Sequence, residues 1–348
     1  YPADAAECYQ ELAKLVDSEE RIECQLLATS LFIRSGRFEM VRDQLQELTR
    51  ALRLPEPKPP LWSRIALTAN GMRLALQAKL ASRANKESMG VLIQRVQEDR
   101  YQQQRLKLCI SLARPLSMFD NLYAAELNVA GAMLALKHGD EVARIHSQVG
   151  ESVFGCYDRG IHRKRSEAML AKLRTQVAEL NHSRAKGDLW SGIAFSHALA
   201  CRWEQVPQPV QKSIEHFEAV TDSNRFELAH TQWLDLWANW HLGRWDVLTR
   251  LSDSMFDDAT RRSDLFQQLV TTGGFGGAAW LVREKLEVLA IIRAKHGEYS
   301  CEQKQTQMFH VFDWITSMQS LLYAGDYAQA WSEFRSMQPK LRHMPYSR

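Results

Sequence analysis

"HLGRWDVLTRL", residues 241–251, carries a helical pattern up to a glycine, breaks at Gly243-Arg244 and resumes at Trp245. A glycine just past the last apolar position suits the left-handed residue that closes a helix. The aromatic residue two positions later can pack back against the helix just ended. The stretch therefore reads as the tight turn of an antiparallel helix pair. Similar breaks stand in "RSGRFEMV" (34–41), "ACRWEQV" (200–206) and "YAGDYAQA" (323–330). With turns at Cys201, Gly243, Glu284 and Gly325, the steps are 42, 41 and 41 residues. Glu284, in "LVREKLEVL", keeps the charge but lacks the glycine and the aromatic. A period near 40 belongs to helical solenoids. Turns at Gly36 and Gly139 lie off this spacing, so the N-terminal half is less regular.

The rest of the chain extends this reading. In "FELAHTQWLDLWANWHL" (226–242), Phe226, Ala229, Trp233, Trp237 and Trp240 recur at steps of three and four, one face of a helix. Alternating strand patterns are almost absent. "PEPKPP" at 55–60 must end the preceding helix and run extended. The predicted organisation is an N-terminal helical segment of three helices at 1–54 and a proline-rich connector at 55–60. An irregular helical-hairpin region follows at 61–160, then repeats of about 41 residues at 161–348. Weak points are expected at "GESVFGCYDRG" (150–160) and "TTGGFGG" (271–277). The second reads as a loop, or as a helix start where two backbones approach closely.

Apolar residues make up 45% of the chain and charged residues 24%, enough for a large core. The formal net charge of +3 and the shortness of the longest basic tract, "HRKR" at 162–165, argue against nucleic acid, which needs many aligned cations. Six scattered cysteines (Cys8, Cys24, Cys109, Cys156, Cys201 and Cys301) form no C-x-x-C pair. They suggest reduced thiols and a cytoplasmic setting. No apolar run reaches the ~18 residues that span a bilayer, so membrane insertion is not expected.

The search for chemistry yields no catalytic, cofactor-binding or metal-ligating residue. "GGFGGAAW" lacks the Lys-Ser/Thr of a phosphate loop, and kinase signatures are absent. "FDDATRRSD" (256–264) is similar to the acidic magnesium motif of all-helical terpene enzymes. Arg261 stands where the third acid should, so the stretch is expected to be a polar connecting loop. His138 and His241 each flank a turn glycine, where a cation at a helix C-terminus is favourable. "HSRAKGDLW" (182–190) reads as a helix end, a glycine, an aspartate cap and a new helix. Ten tryptophans are many for this length. Trp233, Trp237 and Trp240 share a face and are expected to pack between helices; their alternative role is as partner-binding anchors.

Residues 312–339 resemble a tetratricopeptide repeat: Trp314, Gly325, Tyr327, Ala330 and Phe334 fall at its signature spacing, with Met318 where a small residue is usual. The whole chain resembles the C-terminal helical region of bacterial multidomain proteins that join a serine/threonine kinase domain to a predicted ATPase module. The likeness is carried by "CQLLATSLFIRSGRFEMVRDQLQEL" (24–48), "FELAHTQWLDLWANWHLGRWDVL" (226–248), "RSDLFQQLVTTGG" (262–274) and "FHVFDWITSMQSLLYAGDYAQAWSEF" (309–334). It implies a regulatory part of a signalling kinase, non-catalytic in itself, with kinase and ATPase domains beside it.

The expected fold is all-α: tetratricopeptide-like hairpins stacked as a curved solenoid. The expected function is a protein-interaction scaffold offering a groove to a protein, a peptide or a small effector. Two alternatives stand beside it. An all-helical enzyme would show a central cavity with at least three convergent titratable groups. An oligomerisation module would pair exposed apolar helix faces.

Overall fold

In the computed structural model the chain is all-α. It describes residues 2–35, 37–56, 60–84, 96–118, 120–157, 160–220, 225–291, 294 and 308–342, and no strand occurs among them. Gly36, Cys301 and most of the 292–307 segment lie outside the described residues.

Three helices open the chain: α1 (Pro2–Leu15), α2 (Ser18–Arg34) and α3 (Phe38–Ala51). They pack with α5 (Val96–Leu116) and α6 (Asn121–His138) around Phe32, Leu48, Leu112, Tyr123 and Leu127. The Tyr123 hydroxyl donates to Pro55 O at 3.0 Å, pinning the connector to this core. The long α4 (Pro60–Ala84) lies on α6. Next come α7 (Glu141–Cys156), α8 (Ile161–Glu179) and α9 (Ser183–Leu199), which share a second core at Val149, Leu173 and Leu189.

From α9 onward the elements pair. A 3-10 turn at Trp203–Gln205 leads from α9 to α10 (Pro207–Glu218). Helix α11 (Arg225–His241) pairs with α12 (Trp245–Arg261). A broken helix, α13 (Leu265–Thr272) and α14 (Gly277–Leu281), leads to a helical turn, α15, at 286–291. The last pair is α16 (Met308–Tyr323) and α17 (Tyr327–Arg342). The first helices of neighbouring pairs touch: α9 with α11, α11 with α13, and α13 with α16.

The four turns expected from spacing all hold a left-handed residue: Cys201 (φ 56°), Gly243 (64°), Glu284 (57°) and Gly325 (80°). Each closes its helix with the same two bonds. At Gly243, its own N–H donates to Trp240 O and the Arg244 N–H donates to Asn239 O, at 3.2 and 3.0 Å. The bonds satisfy carbonyls that a helix end leaves open, and the pairing is repeated at the other three positions. Arg53 and Ser263 close α3 and α12 in this way too, without a glycine to announce them. Gly139 behaves differently. It is extended (ψ 148°), and Asp140 caps α7 by accepting from Ala143 N at 2.8 Å.

A Cβ placed on Gly325 meets no atom within 4 Å, so only its backbone conformation resists substitution. Gly325→Val is expected to cost about 1–2 kcal/mol, the penalty of a left-handed L-residue. Cys201→Gly, which relieves that penalty, is expected to gain about 0.5–1 kcal/mol after the flexibility of glycine is counted. Thermal denaturation followed by circular dichroism reads both; shifts of equal sign would contradict the turn assignment.

"TTGGFGG" is the close approach rather than a free loop. A Cβ on Gly277 would sit 2.8 Å from the Thr316 hydroxyl. Gly274 N donates to that hydroxyl at 2.9 Å and to Phe312 O at 3.0 Å. The break between α13 and α14 is thus seated on α16. "FDDATRRSD" is not a loop at its start: its first six residues end α12, and Asp258 is paired with Arg262.

The chain also turns back on itself. Helix α2 packs against α13, and Arg34 Nε meets Asp264 Oδ2 at 3.0 Å. Asp264 is buried at the α13 N-terminus, where its other oxygen accepts from Gln267 N. Between the helices lies a partly open cavity.

Candidate functional site

The site grows from one aspartate. "GDLW" was expected to cap a helix, but His182 caps α9, by accepting from Ala185 N, and Asp188 lies inside the helix. Gly187 leaves room for the Phe217 ring, since a Cβ there would lie 2.7 Å from it. Asp188 points inward and is only 1% exposed. Its Oδ1 accepts from Arg114 Nη1 on α5 at 3.0 Å, and its Oδ2 lies 2.8 Å from His146 Nδ1 on α7. One turn earlier on α9, Arg184 pairs with Glu227 of α11 at 3.1 Å. The network ties α5, α7, α9 and α11 together. Burial alone would raise the Asp188 carboxyl, but His146 and Arg114 outweigh it and hold it well below the usual carboxylate range.

This network is a wall between two spaces. Outside lies a surface cleft of about 490 Å³, bordered by Lys107, Asp140, His146, Arg184 and Asp188. Inside lies a cavity of about 140 Å³ between the ends of α5 and α6 and the helices α7, α9, α11 and α16. Its lining is mostly apolar and aromatic: Met118, Phe154, Tyr157, Phe195, Trp233 and Phe312. Arg114, His146, His230, Asn121 and Asn128 bring polar groups, with hydroxyls from Ser117, Tyr157 and Ser191, and no Asp or Glu lines it.

Helix α11 supplies a ladder of rings to this wall. His230 lies between Phe195 (5.5 Å between centroids, nearly parallel) and Phe226 (6.1 Å). Burial, with Arg114 nearby, lowers the His230 imidazole to about 3, so it is neutral near pH 7. Trp233, 6% exposed, packs against Phe312 at 5.6 Å. Among the described residues, neither Trp233 Nε1 nor His230 Nδ1 has a hydrogen-bond partner, although both atoms are buried. Buried polar atoms of this kind are rare and call for an explanation.

The three tryptophans singled out in the sequence form one run of rings with different neighbours: Trp237 stacks on Trp233 at 5.4 Å, and Trp237 and Trp240 share Phe275. Trp233 reaches the cavity. Trp237 is half-buried against Trp203 and Phe275, at 5.1 and 5.4 Å. Trp240 is half-buried against Phe275 and the side of the core holding Leu248 and Met255. Trp233 is buried, and Trp237 and Trp240 are each half-buried. His241 is stacked on Trp203 at 3.8 Å, and burial lowers its imidazole below the ordinary value. It acts as a stacking ring rather than as a cationic cap.

Sequence reasoning passed over Arg114, His146 and His230, and read Asp188 only as a helix cap. Only His230 left a local signal. It stands four residues after Phe226 and three before Trp233, a polar ring on an otherwise apolar helical face. The other three come from three different helices, and nothing in their spacing links them. Cys24, Cys109 and Cys156 are buried, while Cys8 and Cys201 are exposed; all five are free. Among the described residues no group of three or more His, Cys, Asp or Glu is placed to hold a metal ion, and no helix is long and apolar enough to cross a membrane.

Comparisons with protein-family models, with curated proteins and with solved structures find nothing that matches this chain. Fold and site together define an all-helical protein with paired C-terminal helices and a partly open, ring-lined cavity backed by a buried ionic network.

Proposed function

We propose that this chain is a non-catalytic regulatory scaffold of a bacterial signalling serine/threonine kinase. In this reading it is a tetratricopeptide-like curved solenoid whose inner face receives a partner group or small effector. The observation that supports it most is the recurrence of one left-handed helix-ending turn at Cys201, Gly243, Glu284 and Gly325, with the first helices of neighbouring pairs in contact. Such arrays act by binding, because stacked pairs leave a shaped inner surface. Regulation follows if occupancy shifts how the array sits on neighbouring domains.

The test is made on the gene and the longer protein. Kinase motifs are expected in the coding sequence ahead of Tyr1, and deletion of 161–348 is expected to change the autophosphorylation rate. Absence of those motifs, or an unchanged rate, overturns the proposal.

A second reading, an all-helical enzyme, is favoured by one observation. A buried carboxylate orients His146 beside a cavity that also meets Arg114, Tyr157 and His230. That is how a general base is held. The cavity serines do not complete it. Ser117 Oγ donates to Arg114 O at 2.6 Å, and Ser191 Oγ accepts from Thr231 at 3.1 Å. Among the described residues no hydroxyl or thiol is hydrogen-bonded to His146, and the arrangement suits binding better than nucleophilic attack.

A further inference from the structure

We infer that the outer face of α4 docks an acidic amphipathic helix of a partner protein. This surface lies on the far side of α4 from its buried residues and outside the C-terminal pairs. The inference therefore goes beyond the regulatory reading and does not depend on it.

The face is set by helical geometry. Helix α4 packs on α6 and buries Ser63 and Leu74. At about 100° per residue these two positions point the same way. Trp62, Ile65, Ala69 and Met72 fall on the opposite side, within an arc of about 80°. Trp62 is 61% exposed, Ile65 52% and Met72 65%, and Ala69 is exposed beside them. Single apolar residues on a surface need no explanation, but a contiguous stripe rimmed by polar groups marks an interaction site.

Spacing and charge decide the occupant. Steps of three, four and three residues are those of a coiled-coil seam, which is narrower than the arc of about 100° or more that a helix buries in a core. Ala69 leaves a notch between Ile65 and Met72, into which an apolar side chain of a second helix fits. A broad bilayer surface has no use for so narrow a seam. Arg73 borders the stripe on one side and Arg64 on the other, and both are exposed. Residues 60–84 hold Arg64, Arg73, Lys79 and Arg83 and no Asp or Glu. Within α6 the one acid, Glu126, is buried. A second copy of this face laid on the first would bring like charges together. A partner helix with apolar a and d positions and glutamates beside them would pair with both arginines.

A labelled peptide of three heptads, with leucine at a and d and glutamate at e and g, is titrated with the purified chain and followed by fluorescence anisotropy. Its twin carries lysine at e and g. Saturable one-to-one binding of the glutamate peptide is expected, about tenfold tighter than that of the lysine peptide. Ile65→Glu combined with Met72→Glu is expected to weaken that binding about tenfold or more. Both positions are exposed, so the fold is expected to hold, which an unchanged melting temperature checks. Arg64→Glu combined with Arg73→Glu is expected to reverse the preference, so that the lysine peptide binds more tightly. Trp331→Ser, on the exposed face of α17, is expected to leave binding unchanged. No saturable binding overturns the inference, as does equal binding of the two peptides, or binding that the Ile65 and Met72 changes leave intact. Sedimentation with phosphatidylserine vesicles, or a dimer in analytical ultracentrifugation, that those two changes abolish would give the face to lipid or to a second copy and overturn it as well.

Discussion

Replacing Asp188 by asparagine lowers the folding free energy by about 3–5 kcal/mol, the cost of leaving a buried charge without its partner. Asparagine nearly matches the shape, so the loss does not come from a hole. It comes from Arg114 and His146, which converge on the carboxylate at 3.0 and 2.8 Å from two other helices. Arg114 is too deeply placed to recover full hydration, its side chain being 16% exposed. Removing both charges at once, as Arg114→Met with Asp188→Leu, is expected to return part of the loss, because an apolar pair avoids the desolvation of two ions. Denaturant unfolding with a fitted midpoint and slope measures both. A drop below about 1 kcal/mol in Asp188→Asn would mean that the network is solvated, contrary to its burial. Since the carboxyl is held low in the folded chain, its contribution is present above the unfolded value near pH 4 and fades only as the pH falls further.

The second large effect lies at higher pH and belongs to His230. Its imidazole is held at about 3 in the folded chain, whereas the free side chain titrates at 6.5. As pH falls below 6.5 the unfolded chain takes up a proton that the folded chain refuses. Stability is therefore lost progressively from pH 6.5 toward 3, by about 1.4 kcal/mol per pH unit. By pH 4.5 the loss from this one ring is about 2–3 kcal/mol. His197, His216 and His241 are lowered too and act in the same sense. Asp235, pushed up to about 6 by burial, acts in the opposite sense between pH 6 and 4. The informative quantity is therefore the difference between the wild-type chain and His230→Gln. That difference is expected to shift in favour of the variant as pH drops from 7 to 4.5. Parallel pH profiles for the two chains would show that His230 takes a proton in the folded state, and that its burial between Phe195 and Phe226 is less complete than the rings imply.

Both effects concern residues without a motif, and that marks the boundary of what the chain discloses locally. The periodic apolar faces and the turn at Gly243 predicted helices and their pairing, because helix formation and helix ending depend on neighbours within about five positions. The same logic reached Cys201 and Glu284, where the spacing outweighed the absence of glycine. It missed Ser263 and Arg53, which adopt the left-handed turn with nothing in their type to announce it. It misplaced Asp188, since a Gly-Asp pair after a polar stretch has the composition of a helix start, yet here the helix begins at Ser183. The tryptophan face on α11 was legible as a face. Which of its members meets a cavity and which meets Phe275 was not.

The sequence by itself determined an all-helical chain, the place of its C-terminal turns and the opening group of three helices, all of them consequences of short-range periodicity and backbone sterics. Only the tertiary structure decided that α2 returns to α13, that Arg114, His146 and Asp188 converge from three helices, and that a partly open cavity remains beside Trp233 and His230. Those features depend on how helices far apart in the chain cross and pack, and that packing is fixed by the summed shape of many side chains rather than by any local pattern.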